Sequence, residues 1–441
     1  LSSSSFFFSF FFLFFFSSSS LFLLVLDVIC IMVLERAPLR SLVAFVVALA
    51  VQAQLPIPGA AGDQAFVGSA ANGSLVLQPG PGQQVLIDGA DFRAMVQKME
   101  ALSAQVERLT AQADRHQCKL AVDTTSVAGL SGGWFGAVVA NNDKIYGIPH
   151  HATAVLIIDP ATNTADLTSI QGLAADGGKW RHGVLARNGL IYGIPYNSAS
   201  VLMIDPIANS VDVTTIVNLT GAAKWVGGVL ANNGKIYGIP ETARGILVID
   251  PATNTAATVA ISNLGLVQGV NDYWHGGVLA RNGQIYGIPT QSSAVLIFDP
   301  ATNATDVTTI SGLGTGTKWA FGVLGGNGKI YGMPFESTSV LIIDPETNTA
   351  DTTTLTGLAG TNKWFGGVLA GDGRIYAVPH SSPSVLIIDP STDTTRTIPT
   401  GTTSMFQWSG AVTPSNGVIY GIPFTTTSVL VVQCVLASGV W

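Results

Sequence analysis

The sequence predicts an all-β fold, a seven-bladed β-propeller, because three markers recur seven times in one order between residues 118 and 441. A tryptophan comes first, an Ile-Tyr pair follows, and a proline stands three residues after each tyrosine. Successive tryptophans are 44 to 49 residues apart, which is the length of a four-stranded propeller blade. The tryptophans are Trp134, Trp180, Trp225, Trp274, Trp319, Trp364 and Trp408.

Each repeat is predicted to form four strands, A to D. In the third repeat the strands are 227–231, 235–239, 246–250 and 256–261. Asn233-Gly234 between A and B is a type I′ hairpin sequence. C strands are apolar on both faces, as expected of a blade between two neighbours. D strands alternate with threonine, as in Asp351–Leu355, which is typical of an outer edge in contact with water.

The last blade is predicted to be shared between the two ends of the chain. The seventh repeat ends after its C strand, Val429–Val432. Val122–Leu130 matches Asp351–Leu358, the segment of the fifth repeat that contains its D strand, in character and in its distance before the next tryptophan. An N-terminal strand that completes the last blade would close the ring and remove an unpaired edge.

A disulfide between Cys118 and Cys434 is predicted beside this strand. Cys434 falls where Pro160 falls in the first repeat, and Cys118 aligns with Ala161, so two positions that are consecutive in an ordinary blade are here separate chain ends. The bond would fit an oxidising compartment. Two unpaired thiols are the alternative.

Two N-terminal segments bear on export. Residues 1–31 are a low-complexity leader rich in Ser, Phe and Leu, interpreted either as untranslated or as part of a membrane anchor. Residues 32–53 have a charged start, the apolar stretch Leu42–Val51 and small residues at a cleavage site, which is typical of a signal peptide. We therefore expect a secreted or extracellular protein, with no membrane association after cleavage.

A stalk and a helix are predicted between this segment and the propeller. Residues 54–90 are rich in Gly and Pro, with short strand-like runs at Ser74–Leu77 and Val85–Asp88. Asp91 is predicted to cap a helix over 91–117, whose apolar positions from 92 to 113 form a coiled-coil seam of three heptads. Because so short a helix is marginal alone, the seam predicts either a homo-oligomer through residues 92–113 or packing on the propeller.

Composition excludes some partners and supplies few motifs. A net charge of −7 gives no basic face for nucleic acid. Neither a Gly-x-Ser-x-Gly motif nor a paired-cysteine motif is present, and no cofactor is expected. The glycosylation sequons begin at Asn72, Asn218 and Asn303.

Candidate binding residues lie in the B–C and D–A loops, because these vary between repeats whereas the A–B and C–D turns recur. The two variable loops share one face of a propeller, and their histidine spacings match no metal-ligand signature, so no metal is expected. The predicted binding residues are His150, His151, Arg181, His182, Tyr196, Glu241, His275, Phe335, Glu336, His380 and Phe424.

The tryptophans allow two interpretations. They either pack between blades or form a ring of stacking platforms for sugars. Four lysines directly precede tryptophans, and they either make cation–π contacts or are plain surface charges. These lysines are Lys179, Lys224, Lys318 and Lys363.

The repeat resembles the YVTN-type propeller repeat of surface proteins. The resemblance rests on Ile145–Pro149 and on the run from Ala154 to Thr164, which ends in Ile-Asp-Pro-Ala-Thr-Asn-Thr, and it covers residues 118–441. The sequence departs from that repeat in its Gly-Ile-Pro after the tyrosine and in the added tryptophan; it is less similar to kelch repeats. The resemblance implies a cell-surface binding role, because that class is mostly non-catalytic.

The predicted function is therefore an extracellular recognition module that binds a glycan or a protein. Related seven-bladed folds include lyases and lactonases, so the alternative is an enzyme that uses His182, His275 and Glu241. A structural coat protein with no soluble ligand is a third interpretation.

Overall fold

The structure is a computed structural model that describes residues 66–69, 75–78, 86–87, 90–91, 119–264 and 272–435. The chain divides into two compact units, Leu1–Gln117 and Cys118–Trp441. The predicted leader and signal peptide, Asn72 and residues 92–117 of the predicted coiled coil lie outside the described residues.

The first unit contains two short antiparallel strand pairs. β1 (Phe66–Ser69) pairs with β2 (Leu75–Gln78), and β3 (Leu86–Ile87) pairs with β4 (Ala90–Asp91). The two predicted runs therefore correspond to β2 and β3, whereas β1 and β4 were not anticipated. Asp91, predicted to cap a helix, is the last residue of β4, and the helix that it would begin lies outside the described residues.

The second unit is the predicted all-β propeller with seven blades. Each blade is a four-stranded antiparallel sheet, and its A strand lies next to the A strands of the two neighbouring blades, so the A strands form the inner ring. The described parts of both units contain no helix, and therefore none that could span a membrane.

The strands of the first four blades follow the repeat. Blade 1 is β6–β9 (Trp134–Val139, Ile145–Pro149, Leu156–Asp159, Thr164–Asp166) and blade 2 is β10–β13 (Trp180–Leu185, Ile191–Pro195, Leu202–Asp205, Ser210–Asp212). Blade 3 is β14–β17 (Trp225–Leu230, Ile236–Pro240, Gly245–Asp250, Thr255–Ala260) and blade 4 is β18–β21 (Trp274–Leu279, Ile285–Pro289, Leu296–Asp299, Ala304–Asp306).

The remaining three blades complete the ring. Blade 5 is β22–β25 (Trp319–Leu324, Ile330–Pro334, Leu341–Asp344, Thr349–Asp351) and blade 6 is β26–β29 (Trp364–Leu369, Ile375–Pro379, Ser384–Asp389, Thr394–Pro399). Blade 7 is β30 (Trp408–Val412), β31 (Ile419–Pro423), β32 (Leu430–Val435) and β5 (Lys119–Asp123).

The predicted D strand Asp351–Leu355 is wrong in its bounds, because β25 ends at Asp351. The Asp351 carboxylate accepts hydrogen bonds from the backbone N–H groups of Thr353 (2.7 Å) and Thr354 (3.2 Å). This side-chain turn competes with the sheet ladder and ends the strand. The same turn follows β5, β9, β13 and β21, whereas β17 and β29 lack the aspartate and run for six residues.

The outer strand of blade 7 comes from the start of the second unit. β5 runs antiparallel to β32, with Val122 opposite Val432 and Leu120 opposite Cys434. Leu120 and Val122 are partly buried against the core between blades 6 and 7. Cys118 lies just outside the described residues, so its bond to Cys434 stays a prediction.

Neighbouring blades are joined by the residues that the repeats share. In blade 3 the A–B turn residue Asn233 donates to the Pro300 carbonyl of blade 4 at 3.1 Å, and the same contact joins blade 7 to blade 1, from Asn416 to Pro160 at 3.3 Å. Blade 6 carries Asp372 in place of this asparagine, and the next blade has Cys434 where the proline would stand. The departure from this shared contact between blades therefore occurs at the blade that the two chain ends build.

The tryptophans pack between blades. Their side chains are 0 to 4% exposed, and each indole N–H donates to a backbone carbonyl, as Trp274 does to Ala294 at 2.8 Å. No indole face is left for a sugar, which rules out the stacking-platform interpretation.

The four lysines are not plain surface charges, because all four are buried. The Nζ of Lys224 donates to the carbonyls of Tyr196, Ser198 and Gly221, each at 2.9 Å, and lies 5.8 Å from the Trp225 ring centroid. Burial lowers the pKa of Lys224 to about 8. These lysines therefore hold the loops of the B–C side in place.

Candidate functional site

A β-bulge near the start of every A strand aims side chains into the central channel. In blade 2, Trp180 pairs with Pro195 and Gly183 pairs with Gly193, so Arg181 and His182 are displaced from the regular ladder. All seven A strands show such a register shift next to their tryptophan. A bulge redirects side chains, and here it redirects the residues that differ most between repeats.

Two aromatic rings fill the channel at the second bulge position. His182 (φ 60°) and Phe321 (φ 52°) adopt a left-handed backbone there, and their ring centroids lie 4.1 Å apart although they belong to blades 2 and 5. The other blades carry glycine. A Cβ on Gly136 would lie 2.5 Å from the His182 ring, and one on Gly276 would lie 2.4 Å from Phe321. The glycines thus make room for the two rings.

An aromatic collar lies around the channel mouth. Phe135 and Phe365 meet at a centroid distance of 5.1 Å, and Phe335 and Phe424 pack against them. His150 and His380 border the same rings. We call this set, Phe135, His150, Phe335, Phe365, His380 and Phe424, the aromatic collar.

The two collar histidines are neutral. Burial lowers the pKa of His150 to about 3 and that of His380 to about 4. The Nδ1 atom of each lies 3.1 Å from a backbone carbonyl oxygen, that of Trp180 for His150 and that of Trp408 for His380. Both histidines are thus packed in the collar, with one ring nitrogen facing a backbone carbonyl.

A polar cluster borders the collar on the side of blades 2, 3 and 4. Arg181 lies 3.7 Å from the Tyr196 ring centroid and places Nη1 3.3 Å from Oε2 of Glu241. His275 places Nε2 3.7 Å from Oε1 of Glu241 and 2.7 Å from Oδ1 of Asp272. Arg181, Tyr196, Glu241, Asp272 and His275 form what we call the polar cluster.

His275 of the polar cluster and the neighbouring His182 have opposite electrostatic environments. Burial lowers the pKa of His275, but the carboxylates of Asp272 and Glu241 outweigh burial and raise the pKa to about 9. Burial, together with the charges of Arg181 and His275, lowers the pKa of His182 to about 3. The two imidazoles thus lie in opposite electrostatic environments, one facing carboxylates and the other facing cationic groups.

A closed circle of backbone hydrogen bonds holds the site residues. The circle alternates between the residue after each B-strand proline and the residue before each tryptophan. The backbone N–H of each of these residues donates to the backbone carbonyl of the next one, at distances of 2.6 to 3.1 Å. Such a chain of bonds is cooperative and fixes the loops at the channel mouth. The circle runs through Gly133, Phe424, Gln407, His380, Lys363, Phe335, Lys318, Thr290, Tyr273, Glu241, Lys224, Tyr196, Lys179, His150 and back to Gly133.

Most of the predicted binding residues lie in these two groups. His182 lies beneath the collar, His151 is exposed at the rim, and Glu336 is a partly exposed residue beside Phe335. Asn218 and Asn303 are exposed, as a glycosylation site must be.

Sequence reasoning missed Asp272 of the polar cluster, the channel residue Phe321, and Met405 and Phe406, which lie in the D–A loop between blades 6 and 7. Each differs from the residues at the same position of the other repeats, and a position-by-position alignment of the bulge and its preceding loop would have singled them out. Phe135 and Phe365 of the aromatic collar, which directly follow their tryptophans, were not among the predicted binding residues either.

Comparisons with known proteins bear on the fold and not on the function. Residues 277–436 match a family described as a repeat of unknown function (DUF6923). No curated protein sequence matches the chain. The YVTN-type resemblance therefore stays a prediction.

Solved structures with this fold include lyases and the extracellular domain of a one-component system. A streptogramin B lyase is 10% identical, with a TM-score of 0.57 over 71% of this chain and 98% of that one. A catalytically inactive virginiamycin B lyase from Staphylococcus aureus, with quinupristin, is 12% identical, with a TM-score of 0.58 over 72% of this chain and 100% of that one. The extracellular domain of a proposed one-component system from B. thetaiotaomicron is 11% identical, with a TM-score of 0.54 over 69% of this chain and 41% of that one. At these identities the likeness shows the propeller fold alone.

Proposed function

We propose that this protein is an extracellular recognition propeller that binds a protein ligand on the face of the B–C and D–A loops. One observation carries the proposal: the residues shared by the repeats build and join the blades, whereas the residues that differ gather at the channel mouth. Residues that vary between repeats at one face of an otherwise repetitive ring are better explained by ligand recognition than by the requirements of folding.

A protein ligand fits the exposed part of this face. Met405 (58% exposed) and Phe406 (39% exposed) lie in the D–A loop between blades 6 and 7. The loop is held in place, because the Thr425 hydroxyl donates to both of their carbonyls and the Phe406 N–H donates to the Ser381 hydroxyl. Exposed Met and Phe beside a buried aromatic collar are typical of a protein interface.

A glycan ligand is the weaker choice. The seven indoles are buried, and Phe135, Phe335 and Phe365 are at most 9% exposed, so few aromatic faces are available for sugar stacking. Export is supported by the signal-peptide pattern of residues 32–53 and by the extracellular domains among proteins of this fold. Association through residues 92–113 would make binding multivalent.

Replacing Met405 and Phe406 with serine is expected to weaken ligand binding at least tenfold, since an apolar anchor of this size contributes about 2 kcal/mol or more. The labelled full chain would be applied in parallel to an array of extracellular proteins and to a glycan array. The matched control is Ile207→Ser, which removes an apolar side chain that is 92% exposed in the C–D turn of blade 2, on the opposite face. Binding to glycans alone would contradict the protein ligand, and binding to neither array would favour a structural coat protein.

A lyase-type or lactonase-type enzyme is the second candidate. The observation that favours it is the placement of His275 against two carboxylates, next to His182, whose Nε2 is buried without a hydrogen-bond partner among the described residues. Such a set can position a proton donor and a proton acceptor. Turnover that is lost in His275→Gln and kept in the Met405/Phe406 double variant would favour the enzyme over the binding module.

The Cys118–Cys434 disulfide is proposed as part of the exported protein. Non-reducing digestion and mass spectrometry should find the two cysteine peptides linked, and reduction should lower the midpoint of thermal unfolding because the link restrains the chain ends that build blade 7. Cys434→Ser should show the same lowered midpoint without reductant. Separate cysteine peptides in the unreduced, natively exported protein would contradict the bond.

A further inference from the structure

Blades 3 and 4 bring two carboxylates and an imidazole together in the polar cluster. Glu241 comes from the B–C loop of blade 3, Asp272 from the loop before β18, and His275 from the bulge of β18. No other pair of neighbouring blades carries an acid or a histidine at all three of these positions. Where blade 4 has Asp272 and His275, for example, blade 3 has Ala223 and Val226. The group is thus a departure from the repeat and not a product of it.

The three side chains lie close enough together to contact one ion. One ligand atom from each residue lies within 4.8 Å of the other two. The side chain of His275 is 6% exposed and that of Glu241 is 9% exposed. Although Nε2 of His275 faces both carboxylates, neither ring nitrogen has a partner at a hydrogen-bonding angle among the described residues. A buried imidazole that points at two acids without a good hydrogen bond requires an explanation.

Arg181 supports such a site without occupying it. Its guanidinium contacts Oε2 of Glu241, while Oε1 of the same carboxylate faces His275. Arg181 is itself held over the rings of Tyr196 and Phe135, at 3.7 and 4.8 Å from their centroids. An outer partner that orients a ligating carboxylate is a regular feature of metal centres.

We propose that Glu241, Asp272 and His275 bind a divalent transition-metal ion, Zn²⁺ or Mn²⁺. One nitrogen and two oxygen ligands suit these ions, whereas Ca²⁺ and Mg²⁺ favour all-oxygen sites. Three protein ligands leave a coordination position open, as in catalytic and ligand-binding metal sites. The ion would tie the B–C loop of blade 3 to blade 4, and the proposal does not depend on the protein-binding function.

Isothermal titration of the full chain, after dialysis against a chelator, tests the site with each metal salt alone. We expect one equivalent of Zn²⁺ or Mn²⁺ to bind with a Kd in the micromolar range or tighter, and to raise the midpoint of thermal unfolding. His275→Gln should weaken binding at least a hundredfold. Asp272→Asn and Glu241→Gln keep the side-chain shapes and should each weaken it at least tenfold.

His380→Gln is the matched control, because His380 is equally buried at a channel-mouth position of blade 6 but faces a carbonyl and not carboxylates. It should bind the metal as the unchanged chain does. Absence of binding by the unchanged chain, or binding that His275→Gln and Asp272→Asn both retain while folded by circular dichroism, would overturn the site. Binding of Mg²⁺ or Ca²⁺ alone would overturn the assignment to a transition metal.

Discussion

Replacing Val122 with aspartate is expected to lower the free energy of unfolding by about 3–5 kcal/mol, because it places a charge in the core between blades 6 and 7 and loosens the strand that completes the ring. Val122 lies opposite Val432 and packs in the same core as Trp408 and Leu430. Urea unfolding gives the free energy, and hydrogen exchange should quicken first in β30, β31 and β32, the rest of blade 7.

The control variant Ile398→Asp separates the effect of loosening the ring-closing strand from the energetic cost of placing a charge in the core. Ile398 is partly buried in the same core and lies on β29, also an outer strand, but β29 follows β28 within blade 6 and its loss would not open the ring. Ile398→Asp should therefore destabilise less than Val122→Asp and leave exchange in blade 7 unchanged. Equal losses, or no local change in exchange, would show that β5 contributes no more than an ordinary outer strand.

The blades could be predicted because their determinants are local and repeated. A hairpin sequence such as Asn233-Gly234 specifies its own turn, and an apolar C strand specifies burial on both faces, so seven copies make the architecture certain from pattern alone. The predicted bounds of the D strands were wrong for a local reason as well. The hydroxyls after Asp351 suggested alternation along a strand, whereas the carboxylate captures the two following N–H groups and ends it.

The candidate site was harder to predict, because its contacts join residues far apart in the chain. Arg181 and Glu241 were recognised as variable loop residues, but their ion pair depends on how blades 2 and 3 are rotated about the channel. Asp272 was overlooked, since its partner His275 is three residues away on a bulged strand whose side chains do not follow a regular alternation. Bulge geometry is thus the information that the repeat pattern lacks.

Gly276→Ala is expected to lower the free energy of unfolding by about 2–4 kcal/mol, of which about 1 kcal/mol comes from the left-handed backbone at φ 71° and the rest from contact with the Phe321 ring. Gly234→Ala is the matched control. It has a similar φ of 81° but no neighbour closer than the Arg187 guanidinium at 4.0 Å, so it should lose only the backbone part. Urea unfolding of both variants gives the comparison.

Phe321→Ala should rescue most of the loss that Gly276→Ala causes beyond the control, because the double variant removes the ring that the new methyl group meets. A double-mutant cycle with no coupling would contradict a steric contact across the channel. Coupling would show why the repeats keep glycine at this bulge in blades 1, 3, 4, 6 and 7. The backbone there tolerates other residues, as His182 and Phe321 demonstrate, but a side chain on Gly136 or Gly276 would meet the rings of those two residues, which already lie beneath the collar.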